Sequence, residues 1–521
     1  MKTVVILFAG NTSNFAFEPL FAQKSAVDCA INWATLVPDV ASIAILGCKN
    51  NQSALQNISL PAEKTTFKHI FEEKWTTALL LQKIAEVSAG FDAAVFAFAD
   101  APFYSVQVTE QLLKDFKKYG AEYCFADGYP LGYTPEILHP GTAKILADLA
   151  KDNQNPVTQT VLFDVLKTDI NSFEIETEIA PKDLRYLRLS LFCDTKRNTL
   201  QCTRLFNLMQ NSPNASLCEI AENEPQIQRT LPAFYALQIA AGCPGECTFC
   251  PYPNAAFAKY GAKPQNCTAV MPLDSFEKLI EKIADFSDDA VISLSLWGEA
   301  LNHPNLIEIL QIILKNPKLS VLIESCGEKI TPDFAQKVFD ICRNAPERRN
   351  GQKAVNWIIS VDAVEPDLYQ KMHGVNGFET ALNAVQALLP HFAGCVYPQF
   401  LRTTQNEHQM EQFYRLWKEK CGNVIIQKYD DFAGMLEQKK VADLTPVCRN
   451  ACWHLRRDMN ILLDGSVPLC KENVLGGIIG NAFTEPLEEI WKKTEDLYAS
   501  QLKRNYEGLC KNCDEYYTFN F

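Results

Sequence analysis

Three cysteines close together in sequence constrain this chain more than any other feature. In AAGCPGECTFCPYPN, Cys243, Cys247 and Cys250 stand in a C-x3-C-x2-C pattern with the aromatic Phe249 just before the last of them. A structural tetrahedral zinc or iron site needs four protein ligands, so a compact trio with no fourth cysteine in the loop points to a metal centre that keeps one position open. Catalysis needs such a position. The same residues also admit a zinc knuckle that borrows Cys267, or three cysteines buried in a core.

The trio follows directly on an apolar run, Ala233 to Ala240, which reads as a strand. Alternating strand and helix patterns continue to about Tyr429, with further strands expected at Val291 to Leu296, Ser320 to Glu324, Trp357 to Val361, Val396 to Leu401 and Val424 to Gln427. The intervening helices carry start signals: Asp274 three residues before Glu277 as a capping pair, and Thr331 before Pro332 at the first helical position. This wiring predicts a partial (β/α)6 barrel whose chemistry sits at the C-terminal ends of the strands.

With those strand ends in place, the chain resembles the radical S-adenosylmethionine (SAM) enzymes. In that family the spacing of Cys243, Cys247 and Cys250, with an aromatic such as Phe249 among them, holds three irons of a [4Fe-4S] cluster, and the fourth iron chelates the amino and carboxylate groups of SAM. The resemblance implies reductive cleavage of SAM to a 5'-deoxyadenosyl radical, with electrons from a flavodoxin- or ferredoxin-like donor. Trp297-Gly298-Glu299-Ala300, after the second strand, resembles the family's Gly-Gly-Glu-Pro motif, with Trp297 and Ala300 as departures. Gly298 permits close backbone approach, and Glu299 can pair with a cation, which the resemblance implies is the SAM ammonium. By the same resemblance Ser360 and Asp362, two apart at the end of the fourth strand, contact the SAM ribose or carboxylate, and Arg402, past the fifth, pairs with the carboxylate. Caps and rim salt bridges are the alternative for these three. His303, His373 and His408 lie in turn-like text, nothing marks them as ligands, and surface or capping roles are expected.

A second cysteine set follows: Cys448, Cys452, Cys470, Cys510 and Cys513. Between Cys452 and Cys470, ILLDGSVPLC reads as a hairpin around an Asp-Gly turn that ends on a thiolate. This region resembles the SPASM/twitch extension of radical SAM enzymes, with Gly465 five before Cys470 as in that motif. The resemblance implies that Cys452, Cys470, Cys510 and Cys513 hold one fully ligated auxiliary [4Fe-4S] cluster and that Cys448 is spare. A second auxiliary cluster would need cysteines after Cys513, whereas the sequence stops at Phe521. Zinc in a four-thiolate site is the competing reading. The overall layout resembles the spiro-SPASM proteins.

Before the barrel, strands at Val4 to Ala9, Ile43 to Leu46 and Ala93 to Phe98 alternate with helical patterns at Ala26 to Thr35 and Trp75 to Val87, predicting an α/β domain with a mainly parallel sheet. It resembles nucleotidyltransferases of the cytidylyltransferase or GT-A type, in the opening strand, in Phe17-Glu18-Pro19-Leu20 and in Asp100-Ala101-Pro102-Phe103. There the strand-end aspartate, here Asp100, supplies a carboxylate to the metal that bridges the nucleotide phosphates. The opening loop, Ala9-Gly10-Asn11-Thr12-Ser13-Asn14, has no Lys or Arg, and Glu18 stands where a Lys is expected. The domain therefore reads as degenerate. The polar text from Gln210 to Arg229 reads as a linker. The expected division is residues 1–209 for the nucleotidyltransferase-like domain, 210–232 for the linker, 233–440 for the barrel and 441–521 for the SPASM/twitch region.

Composition narrows the class. The chain has 47% apolar and 21% charged residues, as a soluble globular protein does, and no apolar run of the roughly 18 residues a membrane span requires. Met1-Lys2 and the apolar run after it read as a first strand rather than a signal peptide, so a cytoplasmic location is expected. A net charge of -13 argues against binding to nucleic acid or anionic lipid. The 19 cysteines fall into two sets plus scattered apolar positions such as Cys29, Cys342 and Cys395, which fits reduced, metal-binding use. The extension is similar to that of peptide-modifying maturases, so radical modification of a peptide or protein side chain is the expected activity. The alternatives are radical oxidation or epimerisation of a sugar or nucleotide-linked small molecule, and a non-catalytic metal-containing binding protein.

Overall fold

The computed structural model describes all residues except 59–64, 213, 349–351 and 519–521. The chain divides into two compact units, Met1–Thr230 and Leu231–Arg348 with Gln352–Phe521.

The first unit is built on β1 (Thr3–Ala9), β2 (Val40–Cys48), β3 (Thr66–Glu72), β4 (Ala93–Phe98), β5 (Tyr123–Asp127), β6 (Glu136–Leu138) and β7 (Ile175–Ile179), in the order β3-β2-β1-β4-β6-β5-β7. The sheet is parallel except at β6, which runs antiparallel to β4 and β5. β1 is buried throughout, because Val5 and Leu7 enter the core on one face while Val4, Ile6 and Phe8 enter the core on the other. A strand covered on both faces has no polar side to show, so it reads as a continuous apolar run. The helix Ala26–Leu36 starts at a capping box in which Ser25 and Asp28 satisfy each other's backbone N–H.

The expected linker is instead part of this unit. Helix Lys196–Asn211 runs into it, and Ser216 with Glu219 forms a capping box that starts a second helix, Leu217–Asn223. Leu217, Ile220, Ala221 and Ile227 are buried in the first unit's core. Two helical turns give too few apolar positions for a visible period, so polar composition misled the reading.

The second unit holds β8 (Phe234–Leu237), β9 (Ala290–Ser293), β10 (Leu319–Ser325), β11 (Val355–Ser360), β12 (Val396–Arg402) and β13 (Ile425–Lys428), parallel and in consecutive order. Helices cover the outer face, where Leu279 and Ile283 from Leu273–Ser287 and Ile309 and Ile313 from Leu306–Leu314 join the main core around Trp357. Thr331 caps Pro332–Asn344 as expected, accepting from Phe334 N. The expected Asp274 cap does not form. Pro272 takes that position, and Asp274 sits within the first turn, where its charge still meets the positive helix end.

A seventh strand, β14 (Asp458–Ile461), pairs parallel with β8 at the sheet edge. The Asp-Gly turn after it is present, with Leu462 N donating to Ser466 O at 2.8 Å and Gly465 N to Leu462 O at 2.9 Å. The expected hairpin is not: β15 (Ser466–Pro468) pairs antiparallel with β16 (Ile478–Asn481), and β14 with β8. The unpaired backbone edge of β8 offers β14 a full ladder, which local sequence does not reveal. The expected boundary at 440/441 thus falls inside one compact unit.

Candidate active site at the strand ends

β8 leads into the cysteine loop, which is pinned by backbone bonds from Cys243 N to Pro264 O (3.1 Å), Glu246 N to His373 O (3.1 Å) and Thr248 N to Met372 O (2.8 Å). Cys243, Cys247, Phe249, Gly298, Glu299 and Ser360 line one cavity of about 370 Å³. All cysteines here are free thiols. Burial foremost pushes Cys243 up to about 12, with the charges of Glu299 and Cys250 adding to it, and burial pushes Cys250 up to about 11. Thiols crowded among buried carboxylates ionise only when a cation joins them, so this donor set fits a metal cluster.

Gly298 has φ +80°, and a Cβ there would stand 2.1 Å from Ala240 O, so only glycine lets the chain pass. Glu299 is buried, and its carboxylate accepts from Cys326 N (3.1 Å), Cys326 Sγ (3.2 Å) and Leu301 N (3.3 Å). Burial raises its pKa against these hydrogen bonds.

Two expected positions lie elsewhere. Asp362 is fully buried, accepts from Leu401 N at 2.6 Å and meets His373 Nε2 at 2.9 Å. The two-residue spacing from Ser360 places side chains on one face only while a strand continues. β11 ends at Ser360, and Asp362 takes a left-handed φ of +57°, which turns it away from the cavity wall. Arg402 is held by both oxygens of Glu407, at 2.6 and 2.7 Å, and is not part of the wall.

His373 is the residue that sequence reasoning missed. It lines the cavity, is 2% exposed, bonds Asp362 through Nε2 and places Nδ1 3.5 Å from Cys247 Sγ. Tyr369 stacks on its ring at 4.0 Å and Phe249 meets it edge-on at 5.2 Å. The contacts that bring it to the cysteine loop, with Cys247 and Phe249, span more than a hundred residues, which spacing does not carry. His303 is buried and caps a turn, with Nε2 on Met271 O and Nδ1 accepting from Asn305 N, while His408 is exposed.

Cys452, Cys470, Cys510 and Cys513 line a second cavity of about 220 Å³. Burial pushes Cys452 up to about 12 and raises the other three as well. Four free thiols in one cavity match a saturated metal centre. Cys448 is exposed and outside it, and Cys267 lines neither cavity, its Sγ resting 3.6 Å from Ala262 O.

An ion network surrounds this second set. Lys428 pairs with Glu515 and stands 3.3 Å from Asp514, and Lys471 stands 3.3 Å from Asp430, 3.5 Å from Glu472 and 3.8 Å from Glu515. Asp430, Asp514 and Glu515 are grouped closely enough to hold a cation, and lysine ammonium groups fill that role.

In the first unit, Asp100 is buried at the end of β4 beside a cavity of only about 20 Å³, too small for a nucleotide. Asn51 closes the opening loop by donating to Ala9 O at 2.7 Å and Thr12 Oγ1 at 2.9 Å.

Residues 237–416 match the radical SAM superfamily, and residues 452–514 match SPASM, an iron-sulfur cluster-binding domain. An uncharacterized protein of Treponema pallidum (strain Nichols) is 39% identical over 367 residues, covering 69% of this chain and 98% of that protein. Streptococcus suis SuiB bound to precursor peptide SuiA is similar at 15% identity and TM-score 0.43, covering 69% of this chain and 85% of that one. A cytidylyltransferase from Leptospira borgpetersenii serovar Hardjo-bovis (strain JB197) is similar at 12% identity and TM-score 0.35, covering 44% of this chain and 96% of that one.

The chain carries a radical SAM domain and a SPASM domain. It is therefore an enzyme with a SAM-binding [4Fe-4S] cluster and auxiliary iron-sulfur ligation, which sets aside the non-catalytic reading.

Proposed function

We propose that the second unit cleaves SAM reductively in the cavity of Cys243 and Cys247 and uses the resulting radical to modify a peptide or protein side chain. One observation carries this reading: the 370 Å³ cavity and the 220 Å³ cavity share Ser295 and Glu324, so a substrate group placed there lies between the two cysteine sets. Cys243, Cys247 and Cys250 are the ligands of the SAM cluster, and Cys452, Cys470, Cys510 and Cys513 those of one auxiliary cluster. When bound, the first cluster and SAM supply a hydrogen-abstracting radical, and the second accepts or relays electrons.

The chain's own residues do the positioning. Gly298 lets a ligand lie against the backbone, Glu299 is fixed by Cys326 and Leu301 for an ammonium partner, and Ser360 offers a hydroxyl to the same cavity. His373, locked by Asp362 and Tyr369, fixes the loop beside Cys247. Phe249, Trp297 and Tyr252 keep this end of the barrel apolar, with Trp297 and Tyr252 stacked at 5.8 Å. A reduced, cytoplasmic setting and a flavodoxin- or ferredoxin-like donor suit free thiols and one-electron chemistry, and no helix among the described residues is long and apolar enough to cross a membrane.

The test is anaerobic reconstitution followed by iron counting and assay of 5'-deoxyadenosine with peptide pools against nucleotide-sugar pools. Enhanced yield with peptides supports the reading. A loaded, reduced sample that left SAM intact under varied reductants would remove it, and enhancement by nucleotide sugars alone would replace the substrate class.

A further inference from the structure

The inner face of the barrel changes character toward its strand ends. Phe234, Ala236, Leu322 and Ile358 form a small buried apolar cluster, with Tyr397 and Ile425 packed against it. Two residues further along the same strands stand Glu324 after Leu322, Gln399 after Tyr397 and Gln427 after Ile425. The register keeps these on one side, since Glu324 is opposite Ile358, Ile358 opposite Tyr397, and Gln399 opposite Ile425.

Glu324, Gln399 and Gln427 line a third cavity of about 570 Å³, with Lys428, Glu515 and Tyr517 on its wall. Glu324 also lines both cavities already described, so the three meet at this residue. Gln399 is only 9% exposed. Among the described residues, neither amide nor the Glu324 carboxylate has a side-chain hydrogen-bond partner or ion pair. Glu324 and Gln427 are half-buried, and polar groups from three strands that face one cavity without a side-chain partner are placed to meet a ligand.

Charge says what kind of partner. Lys428 and Lys471 are committed to Glu515, Asp514 and Asp430, so Glu324, where the cavities join, has no ion pair of its own and only the more distant charge of Lys471 to offset its carboxylate. The side-chain amides add acceptor oxygens without adding charge. We propose that Glu324, with Gln399 and Gln427, anchors a cationic group of the substrate, an amine- or guanidinium-bearing side chain. This rests on the function proposed above and names its substrate class.

The test uses the full chain, reconstituted with iron and sulfide and loaded with SAM, and measures binding of Nα-acetyl-lysine, Nα-acetyl-arginine, Nα-acetyl-norleucine and Nα-acetyl-glutamate N-methylamides by calorimetry. The lysine or arginine probe binds at least tenfold tighter than the norleucine probe, and Glu324→Gln removes that preference at wild-type iron content. The wild-type comparison stands even if the variant misfolds. Equal binding of norleucine or glutamate probes, unchanged preference in a folded Glu324→Gln, or no binding of either basic probe to fully loaded protein overturns the inference. 5'-Deoxyadenosine is assayed on the same wild-type samples. Basic-probe binding without SAM cleavage leaves the anchor standing and removes the proposed function, whereas SAM cleavage without basic-probe preference removes the anchor alone.

Discussion

The two cysteine sets differ in how the chain brings them together. Cys243, Cys247 and Cys250 share one loop, and the bonds that shape it are backbone contacts to Pro264, Met372 and His373. Cys452, Cys470, Cys510 and Cys513 come from separate segments: before the short helix Trp453–Arg457, after β15, and in the C-terminal stretch. Their register depends on packing, on the Lys428 and Lys471 ion pairs, and on Arg449, which donates to Lys511 O at 3.2 Å and to Cys510 O. The first set is held by local chain geometry and the second by tertiary structure. Damage to the first should remove chemistry and leave the fold, while damage to the second should loosen the separate segments that carry it and leave the first set in place.

The largest effect expected is that of Cys250→Ala, which abolishes 5'-deoxyadenosine formation and lowers iron from about eight to about four per chain, as two four-iron clusters require. Undiminished SAM cleavage would break the distinction at once. Replacing Cys470 and Cys513 together with Ala also lowers iron to about four, but SAM cleavage persists while substrate conversion fails, because a saturated cluster has no iron free for SAM. Zinc in place of iron at the second set, or unchanged iron in the double variant, would contradict it.

Gly298→Ala tests the first cavity without touching a ligand. The added Cβ meets Ala240 O at 2.1 Å and the left-handed backbone disfavours alanine, so SAM affinity should fall about a hundredfold, about 3 kcal/mol. Calorimetry on the reconstituted variant measures it. Glu515→Gln tests the second set through its ion network. It leaves Lys428 short of a carboxylate and should cost about 2 kcal/mol at neutral pH, read from denaturant midpoints. Burial opposes ionisation of Glu515, but Lys471 and Lys428 hold its carboxyl below the ordinary 4.5. Its contribution is therefore complete above pH 4.5 and is lost as pH falls through the depressed value, so wild type and variant should converge in acid. A difference that grew in acid would reverse the assignment.

No effect at all is expected for nucleotidyl transfer. The full chain with Mg2+, each nucleoside triphosphate and sugar phosphates should release no pyrophosphate, given the 20 Å³ cavity at Asp100. Turnover that vanished in Asp100→Ala would overturn this.

What the sequence made legible follows the same division. Strands β8 to β13 were readable because each is a short apolar run, and the trio because its spacing is local. Ser360 lines the cavity and Asp362 does not, a difference spacing does not carry, since the end of β11 and the left-handed turn after it depend on what the chain packs against. His373 and Glu324 escaped notice for one reason: each acquires meaning only from residues on other elements. The Asp-Gly turn was visible, but the partner of β14 was not, because period and turn chemistry say where a strand is and not what it pairs with.

That pairing has a consequence for biogenesis. β8 is the first strand of its sheet to leave the ribosome, and its outer neighbour is supplied by residues 458–461, more than two hundred positions later. Throughout synthesis of the intervening chain, the nascent barrel carries a bare edge next to the cysteine loop, open to pairing with other chains. A product cut short before Asp458 keeps that edge permanently. Expression yield and aggregation should therefore depend on the last segment of the chain even though the first cysteine set lies far upstream of it.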